Sequence, residues 1–141
     1  MIVSGSSHWQ GSFRDGTGTI STNTKTLREM PYSFASRFEG APGAIPEELL
    51  AAAHAGCFNH ALANIIGMAE LKIDSIQTSA QVAMGSDERG PAVLGVHLVV
   101  EATAPDVTPD QFRLFADRAR QTCAISKALS VEITMDATLV P

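Results

Sequence analysis

Alternating apolar and polar positions mark three strands in the second half of the chain. Residues Ile76–Met84, Leu94–Ala102 and Val131–Leu139 each read with a period of two, which gives a strand one apolar face. Those faces comprise Ile76, Ala80, Val82 and Met84, then Leu94, Val96, Leu98 and Val100, then Val131, Ile133, Met135 and Leu139. The polar segment Gly85–Pro91 joins the first two strands and predicts an antiparallel hairpin. Between the second and third, the period changes to that of a helix. Phe112, Phe115, Ala116, Ala119 and Cys123 share one stripe, and the helix starts at Thr108 as N-cap, with Pro109 at its first position and Gln111 three residues after the cap. Cys123 therefore falls at or just beyond the end of an amphipathic helix, facing whatever that helix packs upon, with the long central helix as the natural candidate.

The first half reads less regularly. Residues His8–Thr22 predict a β-hairpin, with Gly16 and Gly18 near its middle. Residues Tyr32–Phe38 alternate and predict a strand, with Tyr32, Phe34, Ser36 and Phe38 on one face and Ser33, Ala35 and Arg37 on the other. After the loop Gly40–Ile45, Pro46 suits the first position of a helix, and Glu47 and Glu48 complement the positive end of its dipole. The 21 residues Leu49–Ala69 that follow contain no Asp, Glu, Lys or Arg. That is long enough to raise a membrane span, yet His54, Asn59, His60 and Asn64 are costly in hydrocarbon, so the stretch reads as a buried core helix. The order βββ, α, ββ, α, β predicts an α+β fold of antiparallel sheets covered by helices, in one domain over residues 1–141.

Composition narrows the partners. A formal charge of -5 and a pI near 5.2 argue against nucleic acid and anionic membrane surfaces, which reward clustered Lys and Arg. Charged residues make up 18% of the chain, against about 25% in an average globular protein, so an oligomer is expected to cover the shortfall in polar surface. The opening MIVSGSSHWQG has neither a basic n-region nor a continuous apolar run, so no signal peptide is read there and the expected compartment is the cytoplasm. In that reducing environment a cysteine pair is more often catalytic, redox-sensing or simply buried than a permanent disulfide.

The chain has two cysteines, Cys57 inside the uncharged helix and Cys123 66 residues later. Either thiol alone is ordinarily packing, but a reactive one needs a cationic or donor-rich setting. Arg37 could supply the charge, with Arg14 as its competitor. Glu47 could hold an arginine by a bidentate pair or act only as a helix N-terminal carboxylate, and Glu48 would serve equally well. His54, Cys57 and His60 have spacings reminiscent of metal ligands. Residues six apart on a helix diverge by about 120°, however, so the three cannot converge on one ion, and no CxxC or HxxxH motif supports zinc. His97 lies on the polar face of its strand beside Glu101 and reads as solvated, while His8 has no legible role.

Taken in order, HWQGSFRDGTGTIST, SRFEG, PEELLAAAHAGCF and RQTCAIS resemble the OsmC/Ohr family of osmotically inducible and organic hydroperoxide resistance proteins, and the order favours the OsmC branch. The resemblance spans nearly the whole chain. It implies an intertwined α+β homodimer with sites at the subunit interface, acting as a thiol-dependent peroxidase on organic hydroperoxides without a cofactor. Cys57 in AGCF matches the peroxidatic cysteine and Cys123 in TCAIS the resolving one, joined in turn by a disulfide that a dithiol reductant, such as a lipoylated protein, reopens. Arg37 in SRFEG and Glu47 in PEEL match the arginine and carboxylate around the reactive sulfur, although in the Ohr branch the arginine comes from the hairpin, where Arg14 stands. The family often has Pro after the second cysteine; here Ala124 takes that place, which puts in question how the helix breaks there. The apolar surroundings expected of the site, including Phe58, Leu62 and the Phe residues of the second helix, suit a hydroperoxide with an apolar tail.

One consequence needs no family. If Pro46–Ala69 is one straight helix, the ten residues from Glu47 to Cys57 span about 15 Å, so a Glu47 that serves Cys57 must come from a partner chain. Against the peroxidase stand a non-enzymatic carrier of apolar ligands and a thiol or metal sensor.

Overall fold

A computed structural model describes residues 1–141, which divide into two compact units, Met1–Leu49 and Leu50–Pro141.

In the first unit, β1 (Gly5–Gln10), β2 (Thr17–Thr22) and β3 (Met30–Tyr32) form an antiparallel sheet in that order. The predicted hairpin is present, but its connection is residues 11–16, and Gly18 lies within β2 opposite Trp9 and Tyr32. A Cβ on Gly18 would come within 2.5 Å of the Tyr32 ring and 2.6 Å of the Trp9 ring. Its bare backbone thus lets those rings meet, with centroids 5.3 Å apart.

The expected strand Tyr32–Phe38 is not one. The chain leaves β3 at Tyr32 and turns into the helix α1 (Phe34–Phe38). Ser33 and Ser36 form a reciprocal capping box: Ser36 N–H donates to Ser33 Oγ at 3.0 Å, and Ser33 N–H donates to Ser36 Oγ at 2.9 Å. The aromatic spacing that looked like alternation instead stacks Phe34 on Phe38 one helical turn apart, with centroids 5.0 Å apart. The buried Ser36 hydroxyl also lies 2.9 Å from the Ala44 carbonyl oxygen, which ties α1 to the following loop. Gly43 permits this approach, because it has φ of 138° and a Cβ there would lie 2.9 Å from that of Ser36.

Helix α2 runs without interruption over Pro46–Met68, as Pro46 and the two glutamates predict. In the second unit its buried positions are His54, Phe58, Leu62, Ile65 and Ile66, a single stripe, so the uncharged segment is a core helix on one face only. The stripe joins Val96, Leu98 and Val100 of the sheet and Phe112, Ala116 and Ala119 of α3 (Pro109–Thr122) in one core. Thr108 caps α3 as expected, in a capping box with Gln111. Asn59 faces the sheet, accepting a hydrogen bond from Thr78 Oγ1 at 2.6 Å.

The sheet of this unit has the order β4 (Ser75–Asp87), β5 (Gly90–Thr103), β6 (Glu132–Leu139). The β4–β5 hairpin is antiparallel and longer than its pattern suggests. Arg89 N–H donates to Asp87 Oδ1 at 2.8 Å, so pairing continues to a two-residue tip. A register shift at Ala83/Met84 turns Met84 and Leu94 outward, although alternation assigns both to the buried face. β6 pairs with β5 in parallel, so this sheet is mixed rather than antiparallel throughout. The reason lies in the connection: α3 and the short helix α4 (Ala124–Ala128) carry the chain back to the end of the sheet at which β5 began.

Candidate active site

Two clusters of polar side chains hold the candidate site residues, one in each unit. The first is built on α1. In its last turn, Arg37 directs Nη2 onto Glu47 Oε1 at the start of α2, forming a partly buried ion pair. Of the two glutamates, Glu47 makes this contact, while Glu48 is exposed. The pair engages one guanidinium nitrogen and not two. Arg37 Nε is buried without a hydrogen-bond partner.

Arg37 also lines a groove of about 340 Å³ whose walls are Trp9, Phe13, Tyr32, Phe34 and Phe38. Its guanidinium lies 5.0 Å from the centre of the Phe38 ring. An apolar wall with one directed cationic donor can hold a molecule that is oily at one end and polar at the other. Arg14 has no carboxylate partner and packs over Phe34 at 4.6 Å. The apolar lining expected from Phe58, Leu62 and the Phe residues of the second helix is corrected here. Phe58, Leu62 and Phe112 are at most 1% exposed, consumed by the closed core, and Phe115 packs against it.

The second cluster surrounds Cys123. This residue joins α3 to α4 with an extended backbone (φ -63°, ψ 145°), serving as C-cap of one helix and N-cap of the other. The break thus needs no proline, and Ala124 simply starts α4. Cys123 Sγ accepts from Ser126 N–H at 3.3 Å and donates to Ser126 Oγ at 3.1 Å. Ser126 Oγ in turn lies 2.8 Å from His54 Nε2, across to α2. Cys123 and His54 are both buried, and His54 Nδ1 has no partner. Cys57 follows His54 by three residues on α2, is half-buried, and like Cys123 is a free thiol.

Burial lowers the pKa of His54 below the ordinary imidazole value of 6.5. The unfolded chain therefore binds this proton at higher pH than the folded one, and stability falls as pH drops from 6.5 toward the depressed folded value. The slope from this residue approaches about 1.4 kcal/mol per pH unit inside that window and vanishes above and below it. Denaturant midpoints measured from pH 7.5 to 5 are expected to show this loss in the natural protein, and His54→Gln is expected to remove that component.

The other histidines stand apart. His60 is exposed, on a different side of α2 from buried His54. His97 is not simply solvated: Nδ1 lies 2.7 Å from Thr134 Oγ1 and Nε2 3.2 Å from Asp136 Oδ2, binding it to β6. His8 is exposed.

The structure thus unites Arg37 with Glu47, and Cys123 with His54. Ser126 and the aromatic wall were missed in the sequence. A serine three residues after a cysteine that ends a helix is an N-capping spacing and was a usable signal for Ser126, whereas the wall depends on α1 and had none.

Comparison with known proteins follows the same lines. The family described as OsmC-like protein matches residues 39–138. The chain is 39% identical over 132 residues to the peroxiredoxin OsmC of Escherichia coli, covering 94% of this chain and 92% of that protein. It is 35% identical over 91 residues to the organic hydroperoxide resistance protein OhrB of Bacillus subtilis, covering 64% and 65% of the two chains. The crystal structure of that OhrB superposes with a TM-score of 0.73 at 25% identity, covering 96% of this chain and 98% of that one. An OsmC-like protein of unknown function from Vibrio cholerae shares the fold with a TM-score of 0.79 at 16% identity, covering 98% and 99%.

Proposed function

The chain belongs to the OsmC family, and on that premise we propose that it is a thiol-dependent peroxidase that reduces organic hydroperoxides to alcohols. Cys57 thiolate attacks the distal peroxide oxygen. The O–O bond breaks, the alcohol leaves with a proton, and Cys57 becomes a sulfenic acid. Cys123 then attacks the Cys57 sulfur, releasing water and forming a disulfide, and a dithiol reductant such as a lipoylated protein returns both thiols.

The observation that carries this reading is the buried chain Cys123–Ser126–His54. It links the second thiol by two hydrogen bonds to a side chain one helical turn before the first. Arg37 supports it as well, since a guanidinium lining an aromatic groove suits a peroxide oxygen carried on an apolar tail.

On an uninterrupted α2 the ten residues from Glu47 to Cys57 amount to about 15 Å of axial rise, beyond side-chain reach. The Arg37–Glu47 pair that serves Cys57 therefore comes from a second copy of the chain, and the working form is a homodimer. The compartment is the cytoplasm, where dithiols keep the pair reduced.

The test is to titrate the reduced protein with cumene hydroperoxide and map its thiols by mass spectrometry. One equivalent is expected to convert Cys57 and Cys123 to an intramolecular disulfide, with kcat/KM well above that for hydrogen peroxide. Thiols that survive the titration would make the protein a carrier or metal sensor on the same fold, and equal kcat/KM for the two peroxides would remove the apolar-tail preference.

A further inference from the structure

The resolving step has a difficulty that the reaction scheme leaves open. Attack on the sulfenic acid releases the Cys123 thiol proton, yet Cys123 is 2% exposed, so solvent cannot take that proton directly. Both hydrogen bonds of its sulfur go to Ser126.

Ser126 N–H donates to the sulfur, and the thiol donates to Ser126 Oγ, which lies 2.8 Å from His54 Nε2. With the imidazole hydrogen on Nδ1, the nitrogen that is buried without a partner, the serine hydroxyl donates to Nε2 and the three groups form one directed chain. Burial lowers the pKa of this imidazole below 6.5, so above that value the ring is neutral.

Building on the peroxidase reading above, we propose that Ser126 and His54 form a proton relay for disulfide closure, in which Ser126 takes the Cys123 proton and passes its own to His54 Nε2. The Cys123 sulfur attacks as its S–H bond breaks, the S–S bond forms, and the S–O bond of Cys57 sulfenic acid breaks. Cys123 is oxidised and Cys57 reduced by the same electron pair. The departing hydroxide leaves as water after taking a proton from solvent, and the imidazolium returns one to solvent, so the sum is sulfenic acid plus thiol giving disulfide plus water. Ser126 touches the reacting sulfur, and His54 acts through Ser126.

The two half-reactions separate this role from a structural one. In rapid-mixing experiments with one equivalent of cumene hydroperoxide, dimedone labelling reads the Cys57 sulfenic acid, and mass spectrometry reads the disulfide. Ser126→Ala keeps the backbone N–H that donates to Cys123, and His54→Gln keeps a hydrogen-bonding group without a basic nitrogen. Both are expected to form sulfenic acid at the natural rate but to close the disulfide about 10²-fold more slowly, the usual magnitude for loss of a general base. Ser126→Thr restores the hydroxyl and is expected to restore closure. Natural closure rates in Ser126→Ala and His54→Gln would overturn the relay, and so would equal slowing of both half-reactions or failure of Ser126→Thr to rescue. If the natural protein forms neither sulfenic acid nor disulfide, the peroxidase reading fails first and the relay with it.

Discussion

Cys57→Ser is expected to reduce hydroperoxide turnover by at least about 10³-fold, to the background reaction of peroxide with the dithiol. A serine hydroxyl is not oxidised by peroxide, and nothing else on the exposed side of α2 can replace a thiolate. Cys123→Ser is expected to behave differently. It should consume one equivalent of peroxide and stop, with Cys57 trapped as sulfenic acid by dimedone and no recycling by dithiol. The pair of outcomes assigns the roles: sustained turnover in Cys57→Ser would show that Cys57 is not the nucleophile, and a disulfide in Cys123→Ser would have to be intermolecular. The two thiols need not be equally accessible for this division of work. In the proposed division of work, half-buried Cys57 is the thiol that meets the peroxide and buried Cys123 is the one that reacts second.

The second large effect is expected at Arg37. Arg37→Met keeps much of the side chain's volume against Phe38 but removes the guanidinium, and kcat/KM for cumene hydroperoxide is expected to fall by about 10²- to 10³-fold, as for loss of one directed donor to developing charge. Glu47→Gln leaves the arginine in place but releases its orientation, so a smaller loss of up to about 10²-fold is expected. Arg14→Met and Glu48→Gln are the matched comparisons. Arg14 rests on the Phe34 ring and Glu48 is exposed, so neither substitution is expected to change kcat/KM appreciably. A larger loss in Arg14→Met than in Arg37→Met would move the thiolate's cation to the hairpin. Sedimentation equilibrium on the same variants, referenced to the expected homodimer, separates loss of a chemical group from loss of assembly.

Much of this molecule was legible without coordinates because local rules and tertiary demands agree. Pro46, which needs no N–H partner, and two glutamates that complement the dipole start α2, while Thr108 and Gln111 satisfy the terminal N–H groups of α3, all from neighbouring residues alone. Alternation located β4, β5 and β6 because one face of each strand is buried and the other wet. It could not show that β6 runs parallel to β5, which depends on how the intervening helices return the chain, nor that a register shift turns Met84 and Leu94 outward.

For the site, the sequence by itself supplied the candidates: two thiols, an arginine and a carboxylate in motifs that resemble one family. Tertiary structure alone decided which groups meet. Tyr32–Phe38 carries a period-two pattern, but the Ser33–Ser36 capping box coils it into α1, and only on that helix does Arg37 reach Glu47 rather than Glu48. Ser126 and His54 are 72 residues apart and share no pattern. Their contact exists because the folded chain buries the Ser126 hydroxyl on α4 against the His54 imidazole on α2, beside Cys123. Hydrogen bonds between distant segments answer to burial, which is a property of the folded chain and leaves no periodic trace along it.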